Sequence, residues 1–327
     1  MRSLEICAGA GGQALGLEMA GFEHVALVEI DSAACLTLKH NRPHWNVLQQ
    51  DLRDYSAKQE FGIDLLAGGV PCPPFSVAGK QLGSKDERDL FPEAIRLVRE
   101  CRPKAVMIEN VKGLFSPKFK DYRSFITHQL EGMGYEITWQ LIHANDFGVP
   151  QLRPRTVLVA LKKEYFKNFR WPNKNVFQSV SVGDTLLEEM SINGWSGADE
   201  WARGANEIAP TLVGGSKKHG GADLGPTRTK QAWLKLGVDG KGVADSAPQR
   251  DFVGVPRLTV DMAALLQGFP KSWKFVGKKT AAYRQVGNAF PPPVAKAIGE
   301  SIYNAIMITE QTKYQEVECY EGFGIAR

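Results

Sequence analysis

Cysteine is scarce: five in 327 residues, at positions 7, 35, 72, 101 and 319. None are spaced as CxxC or as a Cys/His zinc pair, and so few scattered thiols make no disulfide framework. The expectation is a reduced, cytosolic chain without a structural metal. Long apolar runs are missing too. Nothing approaches the roughly 18 uninterrupted apolar residues of a membrane span, and the N-terminus lacks a signal peptide's apolar stretch. Charge of one sign is barely in excess. Forty Lys and Arg against 36 Asp and Glu leave a net +4, which permits a polyanionic partner without requiring one. What remains, 43% apolar and 23% charged, is a globular composition, not a disordered tail, a collagen-like chain or a coiled coil. The length allows one large domain or two ordinary ones.

The first 161 residues alternate short apolar runs with helical patterns. Strands are expected at 3–7, 24–29, 63–67, 105–109, 136–142 and 156–161. Leu90, Phe91, Ala94, Ile95, Leu97, Val98 and Cys101 form one apolar helical stripe. Such alternation predicts an α/β fold with a mostly parallel sheet covered on both faces. The character changes after about residue 167. Between 191 and 256, 12 of 66 residues are glycine, against 33 of 327 overall, so a loop-rich second domain is expected there. A short helix is expected at 226–236, stopped by Gly237. Another is expected at 260–267, preceded by Thr259 and closed by Gly268 and Pro270. A last helix, 292–308, is expected to return to the first domain. There is no internal repeat and no low-complexity tract.

Chemistry concentrates after strands. Ala8-Gly9-Ala10-Gly11-Gly12-Gln13-Ala14 follows the first, where glycines allow a sharp turn and close approach of a ligand. Glu29, twenty residues past Gly9, ends the second strand and suits two ribose hydroxyls. Asp51 would follow the third strand. The loop also satisfies GxGxxA, so a dinucleotide is one reading.

Cys72 lies in Gly68-Gly69-Val70-Pro71-Cys72-Pro73-Pro74-Phe75-Ser76, just past an apolar strand. Flanking prolines stiffen the loop and hold the thiol. A free thiol of pKa about 8.5 is mostly protonated at neutral pH, and a nearby cation or helix N-terminus would raise its thiolate fraction. Buried packing is the usual fate of a free cysteine. That reading suits the other four, whereas this setting favours a nucleophile. Thirty-seven residues on, Glu109 ends another buried strand, where a carboxylate is either salt-bridged or a proton carrier. Gln151-Leu152-Arg153-Pro154-Arg155 places two arginines two residues apart in an extended stretch, able to clamp a phosphate or carbonyl.

Together these residues resemble the prokaryotic DNA (cytosine-5)-methyltransferases. The loop Glu5-Ile6-Cys7-Ala8-Gly9-Ala10-Gly11-Gly12 resembles that family's S-adenosylmethionine loop. Gly69-Val70-Pro71-Cys72 resembles its nucleophile loop, and Glu109-Asn110-Val111 its ENV motif. Gln151 to Arg155 resembles its QxRxR motif. Arg257-Leu258-Thr259-Val260 with Gln267-Gly268-Phe269-Pro270, and Arg284-Gln285-Val286-Gly287-Asn288-Ala289, resemble its two closing motifs. Order and spacing agree from residue 3 to 300. Only about 170–256 lacks a family pattern, where the family places its variable target-recognition domain. Cys7 stands where Phe is more usual, and Pro73 where Gln is common.

The resemblance implies a Rossmann-like S-adenosylmethionine-dependent methyltransferase fold with a second, smaller, loop-rich target-recognition domain. Residues 1–168 and 280–327 would form the catalytic domain and 169–279 the small one. The chain opens almost on its first strand, so no regulatory domain is expected before it. Cys72 would add to C6 of cytosine and make C5 nucleophilic, and Glu109 would protonate or hydrogen-bond N3. Arg155 with Arg153 would hold the base and orient Glu109, and Asn288 would position the nucleophile loop. Glu29 would bind the cofactor ribose and Asp51 the adenine amino group. Ala8, Gly9, Ala10, Gly11, Gly12, Ile30, Leu52, Pro71, Leu90, Asn288 and Ala289 would complete the cofactor site. The products would be 5-methylcytosine and S-adenosylhomocysteine, with no metal. The target base must leave the duplex stack.

For DNA contact, Ser76, Arg203, Thr211, Lys217, Lys218 and Arg228 are the candidates. Thr211 resembles a threonine that the family uses beside DNA, and glycines frame the lysine pair in a loop suited to phosphates. From 203 to 230 there are five basic residues against two acidic ones, which favours DNA over a solvated turn. The implied partner is double-stranded DNA, with a cognate restriction endonuclease acting separately. A cytoplasmic, prokaryotic or phage-encoded monomer would suffice, with no membrane. Three alternatives compete: a tRNA cytosine-5 methyltransferase on the same scaffold, a dinucleotide oxidoreductase, and a catalytically dead binding module. The oxidoreductase leaves Cys72 and Glu109 unexplained, and the retained reactive residues speak against the last.

Overall fold

Aliphatic runs too short for helices pair into one seven-stranded sheet. The structure, a computed structural model, describes residues 1–57, 62–71, 89–174, 180–214 and 221–322. The strands are β1 (Arg2–Ile6), β2 (Glu23–Glu29), β3 (Val47–Gln49), β4 (Leu65–Gly68), β5 (Ala105–Val111), β6 (Tyr135–His143) and β7 (Pro154–Lys162). Their order is β3-β2-β1-β4-β5-β7-β6. Neighbours are parallel except around β7, which runs antiparallel to both β5 and β6. Strand order reverses between β1 and β4, so a crevice opens there at the carboxyl ends. β1 is buried from Ser3 to Ile6 on both faces, so Glu5 is a charged residue within a buried strand. β3, at three residues, is too short to register as an apolar run of its own.

Among the described residues the helices are α1 (Gly12–Met19), α2 (Ser32–Asn41), α3 (Phe91–Cys101), α4 (Lys120–Glu131), α5 (Lys163–Phe166), α6 (Val182–Ser191), α7 (Ala198–Gly204), α8 (Thr227–Lys235), α9 (Val260–Leu266), α10 (Lys279–Asn288) and α11 (Pro292–Gly322). The predicted stripe is the buried face of α3. Thr259 caps α9 by accepting from the Met262 amide, and Gly268 follows at φ 87°. α6, missed in the sequence, is fixed by a Ser181/Asp184 capping box.

One sheet face, with α1 and α2, shares an apolar cluster with the segment 182–273. Leu15, Leu38 and Trp45 belong to it, as do Trp201, Trp233 and Trp273. The segment carries α6 to α9, and Trp201 on α7 and Trp233 on α8 help to anchor it by burial. On the same face, α11 returns onto α1 as expected. A Cβ on Gly16 would lie 2.4 Å from the Pro292 carbonyl oxygen and 2.5 Å from Ala295 Cβ. Only glycine permits that approach. Gly16→Ala is expected to destabilise the fold by about 1–3 kcal/mol through overpacking. A lowered urea midpoint at unchanged slope would show it; an unchanged midpoint would mean that α11 moves freely.

Candidate active site

The crevice beside β1 is a cleft of about 770 Å³. Of the thirteen residues expected at a cofactor, all but Gly11 line it. Gly11 instead caps α1 at φ 86°, and a Cβ there would meet Leu38 Cδ2 at 2.6 Å and Trp273 at 2.9 Å. Its role is to let the loop turn, not to touch a ligand. Gly12 is equally constrained, since a Cβ would fall 2.2 Å from the Phe290 carbonyl oxygen. Cys7 holds φ 50°, a conformation uncommon for a non-glycine residue. Burial pushes its thiol well up, with Glu29, Glu5 and Asp51 adding to the effect, so it stays protonated.

Glu29 fixes the loop. Its Oε2 accepts from the Gly9 amide at 2.7 Å, and Oε1 from the Asp31 amide at 2.7 Å. Glu29 also lines the cleft. Burial raises its pKa, and those amides oppose the shift. Asp51 is held by Arg53, through Nε at 3.0 Å and Nη2 at 2.7 Å, which lowers its pKa. Ile30 lines the same wall at 63% exposure, an apolar surface open to a flat ring.

Glu5 was not singled out from the sequence. It lines the cleft, is fully buried, and neither carboxylate oxygen has a partner among the described residues. Burial drives its pKa well up. A carboxyl in that state suits a cationic group arriving from the cleft. The signal was a lone acidic residue inside a buried strand. A glycine-turned loop, a ribose-type carboxylate, an apolar wall and an unpartnered buried acid together fit S-adenosylmethionine.

The other end of the cleft gathers the reactive residues. Val111 pairs with Arg155 across β5 and β7, which places Glu109 and Arg155 diagonally on one face. Arg155 Nε lies 2.7 Å from Glu109 Oε1, both side chains nearly buried. Burial raises the Glu109 pKa, and the Arg155 and Arg153 charges partly offset it, leaving it raised. A Cβ on Gly69 would sit 3.1 Å from Glu109 Oε2, so glycine there gives the carboxylate room. Asn110 donates to the Val70 carbonyl at 2.9 Å, and the Leu90 amide to the Pro71 carbonyl at 3.2 Å. These bonds anchor both ends of the segment that holds the expected nucleophile. Cys72 itself lies outside the described residues, as do Ser76, Lys217 and Lys218; Pro71, its chain neighbour, lines the cleft.

Arg153 departs from the sequence reading. It does not line the cleft. It is buried at 1% exposure and donates to the Leu212 carbonyl at 2.8 Å and the Gly287 carbonyl at 2.9 Å. Gln151 joins the same web: it donates to Gln267 Oε1 at 2.7 Å and accepts from the Leu212 amide at 2.9 Å. Gln267 in turn donates to the Ala289 carbonyl. Three motifs separated in sequence thus form one buried polar network behind the cleft. Asn288 lines the cleft at the end of α10. Thr211 is tied by its hydroxyl to the Leu152 carbonyl, while Arg203 on α7 and Arg228 on α8 are exposed. Among the described residues no His/Cys/Asp/Glu group could hold a metal, and no helix is long and apolar enough to cross a membrane.

Comparison with known proteins agrees with this geometry. The family model of the C-5 cytosine-specific DNA methylases matches residues 1–304. The Type II methyltransferase M.NgoMIV of Neisseria gonorrhoeae is 56% identical over 307 residues, 93% of this chain and 97% of its own. The Type II methyltransferase M.NaeI of Lentzea aerocolonigenes is 53% identical over 321 residues, 96% of this chain and 78% of its own. Among solved structures, a DNMT2 variant of Spodoptera frugiperda has a TM-score of 0.63 at 19% identity, over 92% of this chain and 99% of that one, a likeness of fold. With its cleft, its Glu109–Arg155 pair and these relatives, the chain belongs to the C-5 cytosine-specific DNA methylase family.

Proposed function

We propose that the protein methylates C5 of one cytosine within a short duplex DNA sequence and protects that site from a separate restriction endonuclease. The observation that carries this reading is the Glu109–Arg155 pair at the end of the cleft where Pro71 leads into Cys72. S-adenosylmethionine, when bound, supplies a methyl group on a sulfonium centre. Glu29 would hold its ribose, Asp51 its adenine amino group, and Glu5 would meet its cationic end. The Cys72 thiolate adds to C6 of the flipped base, which turns C5 into an enamine carbon; C5 takes the methyl group as S-adenosylhomocysteine leaves, and loss of the C5 proton to solvent then expels the thiolate from C6. Glu109 holds a proton at N3 and so draws electron density from the ring during that addition. Arg155 orients the Glu109 carboxyl and steadies the base, and Asn288 positions the cleft wall. Flipping the base costs a few kcal/mol, recovered by contacts at the cleft mouth. Residues 1–168 with 280–327 carry the chemistry, and 169–279 read the DNA. The enzyme acts in the cytoplasm as a monomer, since one flipped base needs one cleft.

The test is transfer of labelled methyl to mixed-sequence duplex DNA and, separately, to tRNA, with the modified bases mapped. Label in DNA as 5-methylcytosine at one short motif is the expected result. Label in tRNA alone would overturn the DNA reading. The high identity to two Type II methyltransferases favours DNA, whereas the DNMT2 likeness is one of fold.

A further inference from the structure

β5 leaves the cleft at Val111, which is 52% exposed. The chain then makes two 3-10 turns, Lys112–Phe115 and Pro117–Phe119, before entering α4. Arg123 of α4 reaches back to both. It donates to the Leu114 carbonyl and to the Ser116 carbonyl, and its guanidinium lies 5.3 Å from the centre of the Phe115 ring. Leu114 is fully buried beneath. This connection is therefore a braced block, not a loose loop.

The block presents Lys112, Lys118 and Lys120 to solvent. These three have no carboxylate partner among the described residues, although Asp121 is adjacent in sequence. A face serving solubility alone would intersperse both signs. Three cations without a carboxylate partner, on a rigid support that begins at Lys112 beside Val111 of the cleft lining, instead make a positive strip leading away from the cleft edge, with Lys118 Nζ also 5.7 Å from the centre of the Phe119 ring. At about 3.3 Å per residue along a strand, Lys112 lies on the order of 10 Å from Glu109. A base turned into the Glu109–Arg155 site keeps its sugar and flanking phosphates at that edge.

We infer that Lys112, Lys118 and Lys120 form a phosphate-binding strip that holds the DNA backbone beside the flipped cytosine. This rests on the DNA methyltransferase reading above. The strip contacts phosphate alone, so it contributes affinity and orientation, and carries no sequence information.

The experiment uses the full chain and the triple variant K112A/K118A/K120A on duplex DNA containing the methylated motif. The readouts are KM for DNA across a salt series, kcat at saturating DNA, and the motif methylated. Each lost phosphate contact removes about 0.9 from the slope of log affinity against log salt. The triple variant is expected to raise KM at low salt and flatten the slope by about 2–3. Its kcat stays within about twofold, and its motif is the same. Lysine-to-arginine replacement at all three positions restores the slope. An unchanged slope and KM would overturn the strip, as would a fall in kcat with the slope intact. Wild-type protein that labels only tRNA would overturn the underlying reading instead, a result visible before any variant is made.

Discussion

Glu109→Gln is expected to lower kcat for DNA methylation by about 10²–10⁴-fold, the range lost with a general acid–base group. Glutamine keeps the shape and an oxygen for Arg155 Nε, so the 2.7 Å contact to Glu109 has a substitute. What it loses is the proton at the base. The cleft prepares that proton. Burial raises the Glu109 pKa, and Arg155 and Arg153 restrain the rise. The protonated carboxyl therefore persists above the ordinary carboxylate range. Activity that needs it is full below the raised pKa and declines as pH rises through it. Thiolate formation at Cys72 acts in the opposite sense, so kcat/KM against pH is expected to be bell-shaped. Removing the Arg155 charge removes the largest restraint. Arg155→Gln is thus expected to move the alkaline limb to higher pH while lowering its height. Binding of S-adenosylmethionine, measured separately, should change little in the Glu109 variant, because Glu29 and the glycine loop lie at the far end of the cleft. A Glu109→Gln enzyme within threefold of wild type would remove Glu109 from the mechanism.

Glu109 and Arg155 were legible in the sequence because each lies near a strand terminus: Glu109 near the end of β5, and Arg155 at the start of β7, which runs antiparallel and so begins at that same edge. The cofactor loop was legible for the same reason, since its glycines and Glu29 sit at the turns after β1 and β2. Less legible was anything decided by a distant partner. Gly11 has the composition of a ligand loop, yet Leu38 and Trp273 claim the space beside it. Glu5 was hidden within a motif because nothing local shows that its carboxyl finds no partner. Arg153 was read by analogy with Arg155, two positions away. Its acceptors, on Leu212 and Gly287, lie 59 and 134 residues along the chain. Periodicity carries no information about such contacts. The helix α6 was legible but missed: Val182, Leu186 and Met190 form a buried stripe behind the Ser181/Asp184 capping box.

Arg153→Met is expected to destabilise the fold by about 2–5 kcal/mol, because two buried carbonyls are left without donors. Methionine fills similar volume but donates nothing. The Leu212 and Gly287 carbonyls lose their donors at 2.8 and 2.9 Å, each a buried acceptor worth about 1–3 kcal/mol when orphaned. Lysine keeps the charge but not the two-armed geometry, so Arg153→Lys should fall between methionine and wild type. Arg203→Ala, at an exposed position on α7, should stay within about 0.5 kcal/mol. Chemical denaturation of the four proteins ranks them directly. Activity adds a second reading. Gly287 precedes Asn288 in the cleft wall, so Arg153, just before β7, ties that wall to the Leu212 carbonyl. At a temperature where Arg153→Lys is fully folded, its kcat should still be below wild type. In Arg153→Met the alkaline limb should also shift upward, less than in Arg155→Gln, because Arg153 restrains Glu109 less than Arg155 does. A methionine variant as stable as wild type would show the network to be dispensable. Stability lost without any shift in the pH profile would confine Arg153 to the scaffold.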